Sequence, residues 1–139
     1  PFASALRFIF NTDLQKILSD RKAKTKKLGQ LVDEIMRWPI QLDTKTISYV
    51  ASQAITEMIR KLYQAPRDKM MLSAIKSLLQ ILQPLNLDYD LWEAQNLYFY
   101  LSRKTYPLLL EAAKDNDAHA REWVDYFQQL DQYMPSRSL

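Results

Sequence analysis

The sequence contains no cysteine and a single glycine among its 139 residues. Without cysteine, the chain cannot form a disulfide framework, a thiolate zinc site, an iron–sulfur cluster or a cysteine nucleophile. A Rossmann fingerprint, a P-loop and a glycine-turned hairpin are excluded too, because each needs glycine at positions of positive φ or close backbone approach. The sequence therefore indicates architecture more clearly than activity.

Long apolar runs and a signal peptide are also lacking. The apolar runs are only a few residues long, whereas a helix needs roughly 20 apolar residues to cross a bilayer. We therefore expect a water-soluble chain without a membrane partner, and the lack of cysteine fits a cytoplasmic location. The chain begins at Pro1 without methionine, which is compatible with a processed end or with a cut inside a longer polypeptide, and we favour the cut.

The chain does contain many apolar residues, and they recur at helical spacing. It is 47% hydrophobic and 25% charged, with a formal net charge of +3. The clearest pattern covers four helical turns, at Ile47, Val50, Ala51, Ala54, Ile55, Met58, Ile59 and Leu62. No alternating strand pattern and no repeat of roughly 34 to 47 residues competes with it. The sequence therefore predicts one all-α domain over residues 1–139, a compact antiparallel bundle of five to seven helices with proline-marked joints.

Polar residues and prolines predict where the first four helices begin and end. The Asn-Thr-Asp stretch at 11–13 interrupts the first apolar stripe and predicts a cap or a kink. The second helix is expected to end at Trp38-Pro39, because the residue before proline is pushed out of the α region. Asp43 or Thr44 is expected to cap the third helix, and Pro66 to be the first residue of the fourth.

The same signals divide the second half of the chain. Asp90 and Glu93 have the spacing of a capping box, in which the Asp90 carboxylate accepts a first-turn amide hydrogen and Glu93 reaches back. Tyr106-Pro107 predicts a break or kink, and the Asp-Asn-Asp stretch at 115–117 predicts a turn and a cap. The last helix is expected to end at Pro135.

A basic run at residues 21–27 carries five positive charges, on Arg21, Lys22, Lys24, Lys26 and Lys27. Such a run could hold phosphates by displacing counterions from a nucleic acid or another polyanion, with affinity that falls steeply with salt. A solvated junction or helix start is the favoured interpretation, because no aromatic residues interleave and no zinc or helix-turn-helix signature accompanies the run. A stand-alone polyanion-binding protein is the alternative hypothesis.

The only histidine, His119, lies three residues before Glu122, so both can share one face of a helix. A catalytic or metal-ligating pair would have this spacing, and so would an exposed helix start. One histidine without cysteine does not make a structural zinc site. We therefore predict no catalytic residue, no metal and no cofactor, and place an enzyme centred on this pair last.

Residues 88–100 are the densest chemical segment, with three carboxylates, two amides and five aromatic side chains. Carboxylate pairs held roughly 5–10 Å apart hydrolyse glycosidic bonds, and aromatic rings stack on sugars or on a partner's apolar patch. Because capping would explain Asp90 and Glu93, a structural role for this segment is favoured over catalysis. Contact with a partner ranks after the structural role and before catalysis.

On a helix, this segment presents two sets of side chains on neighbouring sides. One set is Trp92, Gln95 and Phe99, and the other is Leu91, Ala94, Tyr98 and Leu101. One set can belong to the core and the other to an interface. The residues predicted to contact a partner or a sugar are Asp88, Trp92, Gln95, Asn96 and Phe99.

Two stretches also resemble a known family. Residues 87–99 (LDYDLWEAQNLYF) resemble the leucine-tryptophan, alanine-glutamine-asparagine, aromatic stretch of a C-terminal helical domain of unknown function. That domain is appended to a bacterial branch of family 57 glycoside hydrolases, labelled α-amylase-like or α-mannosidase-like. Residues 120–130 (AREWVDYFQQL) are similar to the end of the same domain. These motifs are not catalytic signatures.

The resemblance implies an accessory role rather than an activity of this chain. The family's catalytic carboxylates lie in an upstream barrel, so no catalytic residue can be carried over to any position here. The implied partners are an upstream catalytic domain of the same polypeptide and an α-glucan, and the domain could also hold an oligomer together. The basic run at 21–27 has no counterpart in the family pattern.

Overall fold

The computed structural model describes residues 1–20 and 24–134, and these ranges form seven α-helices without a strand. The helices are α1 (Phe2–Ser19), α2 (Thr25–Met36), α3 (Thr44–Gln64), α4 (Lys69–Leu82), α5 (Trp92–Lys104), α6 (Tyr106–Lys114) and α7 (Ala118–Leu130), with a 3₁₀ turn at Gln83–Leu85. The predicted all-α class with five to seven helices is confirmed. No helix in these ranges combines the length and apolar character needed to cross a membrane.

The contacts of the chain divide it into two units. The first contains Pro1–Ala54 and Ser77–Asp90, and the second contains Ile55–Lys76 and the described residues from Leu91 onward. In the first unit, α1 packs on α2, and α2 packs on the 3₁₀ turn. In the second, α5 packs on α6 and α6 packs on α7. Helices α3 and α4 each contribute one part to each unit, and the single domain over residues 1–139 stays a prediction.

In the first unit, α1 runs without interruption through residues 11–13, where a cap or kink was expected. Its buried side chains, Phe10, Leu14 and Leu18, keep helical spacing across that stretch. Asn11 instead acts on another element, because its Oδ1 accepts a hydrogen bond from the backbone amide of Asp43 at 3.0 Å. The polar stretch therefore connects α1 to the start of α3.

The predicted cap of α3 at Asp43 is confirmed. Its carboxylate accepts from the backbone amide of Thr46 at 3.2 Å and from the Thr46 hydroxyl at 2.7 Å. These hydrogen bonds hold the pKa of Asp43 below its ordinary value, and the bond from the Thr46 hydroxyl has the larger effect. The ionised carboxylate also suits the positive end of the helix.

Two buried serines of α3 hold an extended segment that follows the 3₁₀ turn. Ser48 Oγ accepts from the amide of Asp88 at 2.9 Å, and Ser52 Oγ accepts from the amide of Asp90 at 3.0 Å. Residues four apart on a helix share a face, and alternate amides of an extended chain point the same way, so the two spacings match. These hydroxyls satisfy amides that have no partner within a helix or a sheet.

The second unit is centred on aromatic rings of α5, α6 and α7. Phe127 stacks on Tyr98 (4.5 Å between ring centroids), on Trp123 (4.8 Å) and on Tyr106 (5.3 Å). Trp123 is fully buried, and its Nε1 donates to the backbone carbonyl of Pro66 at 2.8 Å. The α3–α4 turn is thereby bonded to α7.

The prediction that Pro66 begins the fourth helix is wrong. Helix α4 begins at Lys69, and Asp68 is its cap because its carboxylate accepts from the amide of Met71 at 3.1 Å. Pro66 lies in the preceding turn, where its free carbonyl accepts from Trp123 instead. Sequence spacing could not distinguish the two positions, since both carry a plausible helix-start residue.

The Glu93 half of the predicted capping box is also wrong. Helix α5 begins at Trp92, the amide of Asp90 donates to Ser52 Oγ, and both carboxylate oxygens of Glu93 accept from Arg60. The Asp90 amide and the Glu93 carboxylate, which would bond to each other in a capping box, therefore bond to residues of α3.

The remaining joints follow the sequence closely. Proline lies in the first turn of α6 at Tyr106-Pro107, and Asp117 caps α7 by accepting from the amide of Ala120 at 3.2 Å, as predicted. Helix α7 ends at Leu130, before the expected end at Pro135, which lies outside the described residues. Turns follow α7, and Met134 is buried after them.

Asparagine replaces glycine where the backbone turns left-handed. Asn86 ends the 3₁₀ turn with φ 51°, and Asn116 lies between α6 and α7 with φ 69°. Asparagine tolerates this region better than most side chains do. Arg121 supports the second turn by donating to the carbonyl of Ala113 at 3.2 Å and to Asn116 Oδ1. The shortage of glycine is therefore compatible with tight helix joints.

We expect Gly29→Ala to stabilise the protein. Gly29 lies inside α2, and a Cβ atom built there meets no atom within 4 Å. Alanine lowers the backbone entropy of the unfolded chain without a clash, so the free energy of unfolding should rise by about 0.5–1 kcal/mol. Urea denaturation followed by circular dichroism measures the change. A decrease would show that the position needs glycine for a reason other than space.

Candidate functional site

The candidate site lies on the side of α5 that faces away from the core. Leu91, Ala94, Tyr98 and Leu101 are buried, which confirms that one of the two predicted sets belongs to the core. At about 100° per residue, the side chains on the side away from the buried set include Trp92, Asn96, Phe99 and Arg103. We call these four residues the outer face of α5.

Exposure differs along the outer face. Trp92 is 64% exposed, whereas Asn96 and Phe99 are half-buried. The Arg103 guanidinium lies 5.2 Å from the centroid of the Phe99 ring, a cation–π distance. Trp92 is therefore the main accessible aromatic surface of this face, and Phe99 is partly covered by a neighbour on the same helix.

Two residues of α3 extend the surface, and the sequence did not reveal them. Tyr63 meets Tyr100 edge-on, with 6.5 Å between ring centroids, and both rings are exposed. Arg60 donates from Nε and Nη2 to the two oxygens of Glu93 at 2.6 and 2.7 Å. Because these partners are about 30 residues apart in sequence, no local spacing could have predicted the pairs.

The ion pair at this surface includes a second carboxylate. Arg60 also donates from Nη1 to Glu57 Oε2 at 3.0 Å, so all three of its nitrogens bond to carboxylates. The hydrogen bonds from Arg60 lower the pKa of Glu93, and those from Glu93 and then Glu57 raise the pKa of Arg60. Glu93 is thus kept ionised near neutral pH, which suits hydrogen bonding to hydroxyl groups and not proton donation.

The predicted contact residues are divided between the two units. Trp92, Gln95, Asn96 and Phe99 share α5 in the second unit, with Gln95 half-buried at the edge of the outer face. Asp88 belongs to the first unit, where its backbone amide donates to Ser48. Asp88 therefore belongs to a different unit from the helix that carries the other four.

The basic run is described only in part. Arg21 and Lys22 lie outside the described residues. Lys24 precedes α2 and lies 3.8 Å from the Asp20 carboxylate, and Lys26 and Lys27 are exposed in the first turn of α2. Cations at a helix start are opposed by the helix dipole, so their position is not explained by helix stability. Polyanion contact at 21–27 stays a prediction.

The pair His119 and Glu122 lies on the exposed surface of α7. Glu122 Oε2 bonds to Lys69 Nζ at 2.6 Å, and this hydrogen bond lowers the pKa of the Glu122 carboxyl. Glu122 is therefore an ionised partner of α4, a structural role. Within residues 1–20 and 24–134, no group of three His, Cys, Asp or Glu side chains is arranged to hold a metal ion.

Two open grooves occur elsewhere on the molecule. One, of about 450 Å³, lies in the first unit, with Met36, Trp38 and Ile40 among its lining residues. The other, of about 290 Å³, lies in the second unit beside Pro66 and Leu108. Neither of these two grooves is lined by a predicted contact residue.

No family model, curated protein or solved structure matches this chain. The resemblance to the accessory domain of family 57 glycoside hydrolases therefore depends on residues 87–99 and 120–130 alone.

Proposed function

We propose that this chain is a non-catalytic helical accessory domain of a glycoside-hydrolase-like, carbohydrate-active protein of the cytoplasm, and that the outer face of α5 contacts an α-glucan. Exposed Trp92 is the observation that carries the proposal. A flat indole ring of this kind offers a stacking surface for the apolar face of a pyranose. Its upstream partner would be a catalytic domain of the same polypeptide, as the family resemblance implies.

The polar groups near Trp92 support the same ligand class. Glu93 follows Trp92 directly and is held ionised by Arg60, and Asn96 lies one helical turn further along the outer face. Sugar sites combine an aromatic platform with a few fixed hydrogen-bonding groups, because vicinal hydroxyls both donate and accept.

We expect the 139-residue chain to bind maltoheptaose and Trp92→Ala to weaken that binding about tenfold, or about 1.4 kcal/mol. Isothermal titration calorimetry measures the affinity, and cellohexaose tests whether the α-linkage matters. Tyr49→Ala is the matched control, because Tyr49 is 66% exposed on α3 in the first unit. Equal affinities of the Trp92 and Tyr49 variants would contradict a site at α5.

An activity assay on the same sample tests the non-catalytic part. Release of reducing ends from maltoheptaose by the isolated chain would overturn it. Absence of binding to any glucan would overturn the carbohydrate part.

A further inference from the structure

Helix α1 carries a second apolar stripe on the side opposite to its buried one. Phe2 is 67% exposed, Phe8 71% and Ile9 50%, and Ala5 lies exposed between them. At about 100° per residue, these four side chains fall within an arc of about 120°, on the side away from the buried side chains of the helix. We call these four residues the outer stripe of α1. A helix that is apolar on two sides is normally covered on both.

The outer stripe continues onto the end of α2. The Phe2 ring packs against Trp38 at 5.7 Å between centroids, and Met36, two residues before Trp38, is 55% exposed. With about 150–250 Å² for each aromatic side chain, the exposed apolar area of this patch is about 500–600 Å². A standard stable interface buries about 800 Å² per partner, of which about 60% is apolar. The patch therefore has the apolar area of one side of such an interface.

The order of residues in the outer stripe suits a second copy of the same helix. If two α1 helices pack antiparallel with Ala5 against the partner's Ala5, Phe2 lies opposite the partner's Phe8 and beside the partner's Ile9. The contact is then self-complementary, as a two-fold interface requires. The small side chain at the crossing point allows the helices to approach closely, and the large ones pack on either side.

The charges around the patch favour the same partner. Asp13 and Lys16 follow the outer stripe on α1, and the ion pair of Glu34 with Arg37 (2.7 Å) lies beside Trp38. An acidic or a basic partner would call for a rim of one sign. A rim of both signs does not repel its own copy.

We propose that the chain forms a two-fold symmetric dimer in which the outer stripes of α1 pair antiparallel around Ala5. This proposal does not rest on glucan binding, because none of the residues that carry it belongs to the outer face of α5.

Sedimentation velocity over micromolar to millimolar concentrations tests the dimer, which has twice the 16.4 kDa mass of one chain. Ala5→Arg places two cations at the two-fold axis, and Phe8→Asp buries a carboxylate, so each should weaken the dimer at least tenfold. Leu108→Asp is the matched control, because Leu108 is 61% exposed on α6 in the second unit. Circular dichroism checks that each variant keeps its helix content.

A cysteine probe tests the register, since the natural chain has no cysteine. Ala5→Cys should form a disulfide-linked dimer under mild oxidation, because the two-fold axis brings both thiols within bonding reach. Ser19→Cys, about 21 Å further along α1, should not. A monomer at every concentration, a dimer unaffected by Ala5→Arg and Phe8→Asp, or cross-linking through Ser19→Cys in place of Ala5→Cys would each overturn the proposal.

Discussion

Phe127→Ala is expected to lower the free energy of unfolding by about 3–5 kcal/mol. Phe127 is 3% exposed and stacks on Tyr98, Trp123 and Tyr106, which come from three helices of the second unit. Truncation removes the transfer free energy of the ring and leaves a cavity that three rigid neighbours cannot easily fill. The loss of aromatic contacts adds to this cost.

Urea denaturation monitored by circular dichroism measures this change, with Tyr49→Ala as the control for truncating an exposed aromatic ring. Tyr49 is 66% exposed, so its variant should differ from the natural protein by about 0.5 kcal/mol or less. A loss below about 1 kcal/mol for Phe127→Ala would contradict the central position of this ring.

Tyr98→Phe is expected to cost about 1.5–3 kcal/mol at neutral pH. The Tyr98 hydroxyl lies 2.5 Å from Asp131 Oδ1 and 3.0 Å from the carbonyl of Phe127, and the residue is 5% exposed. Its proton is donated to a charged acceptor, and such hydrogen bonds are stronger than neutral ones. Phenylalanine keeps the ring stacking, so the difference reports the hydroxyl.

The same hydroxyl predicts a loss of stability in alkali. Burial, and then the hydrogen bond to Asp131, raise the pKa of Tyr98 above its ordinary value of 10.0. Below pH 10 both folded and unfolded chains keep the phenol proton, and the stabilisation is fully present. Above pH 10 only the unfolded chain loses it, so the free energy of unfolding should fall by about 1.4 kcal/mol per pH unit from this residue.

Urea denaturation between pH 8 and pH 11.5 measures how the free energy of unfolding changes with pH. Tyr98→Phe should make the fall above pH 10 less steep by the contribution of this one phenol. Tyr49→Phe is the control, because Tyr49 is 66% exposed on α3 in the first unit, away from the aromatic rings around Tyr98. Equal slopes for the natural protein and Tyr98→Phe would show that the phenol is not held neutral by folding.

Helix positions were largely predictable because the signals for them are local. Apolar residues at helical spacing, the caps Asp43 and Asp117 and the proline of α6 act within one or two turns. The predictions of helix starts and caps are wrong where a group bonds to a distant residue and not to a residue nearby in sequence. Asn11 bonds to the start of α3, Glu93 bonds to Arg60, and Pro66 bonds to Trp123.

The candidate site was predictable only along one helix. Helical spacing separated the buried side of α5 from the side that carries Trp92 and Phe99. The ion pair with Arg60 and the ring contact with Tyr63 join α5 to α3, and the sequence carries no sign of either pairing. Asp88 belongs to the first unit, where its amide donates to Ser48, and its contact with a partner or a sugar stays a prediction.

By itself, the sequence determined that the chain is helical, where most of its helices lie, and that prolines mark joints between them. Only the tertiary structure decided that Trp123 is buried while Trp92 is exposed, and which polar groups are bonded across the fold. The physical reason is the separation in sequence over which each interaction acts. Helical periodicity and capping act over a few residues, whereas burial and ion pairing depend on which helices meet, and one helical pattern is compatible with many such arrangements.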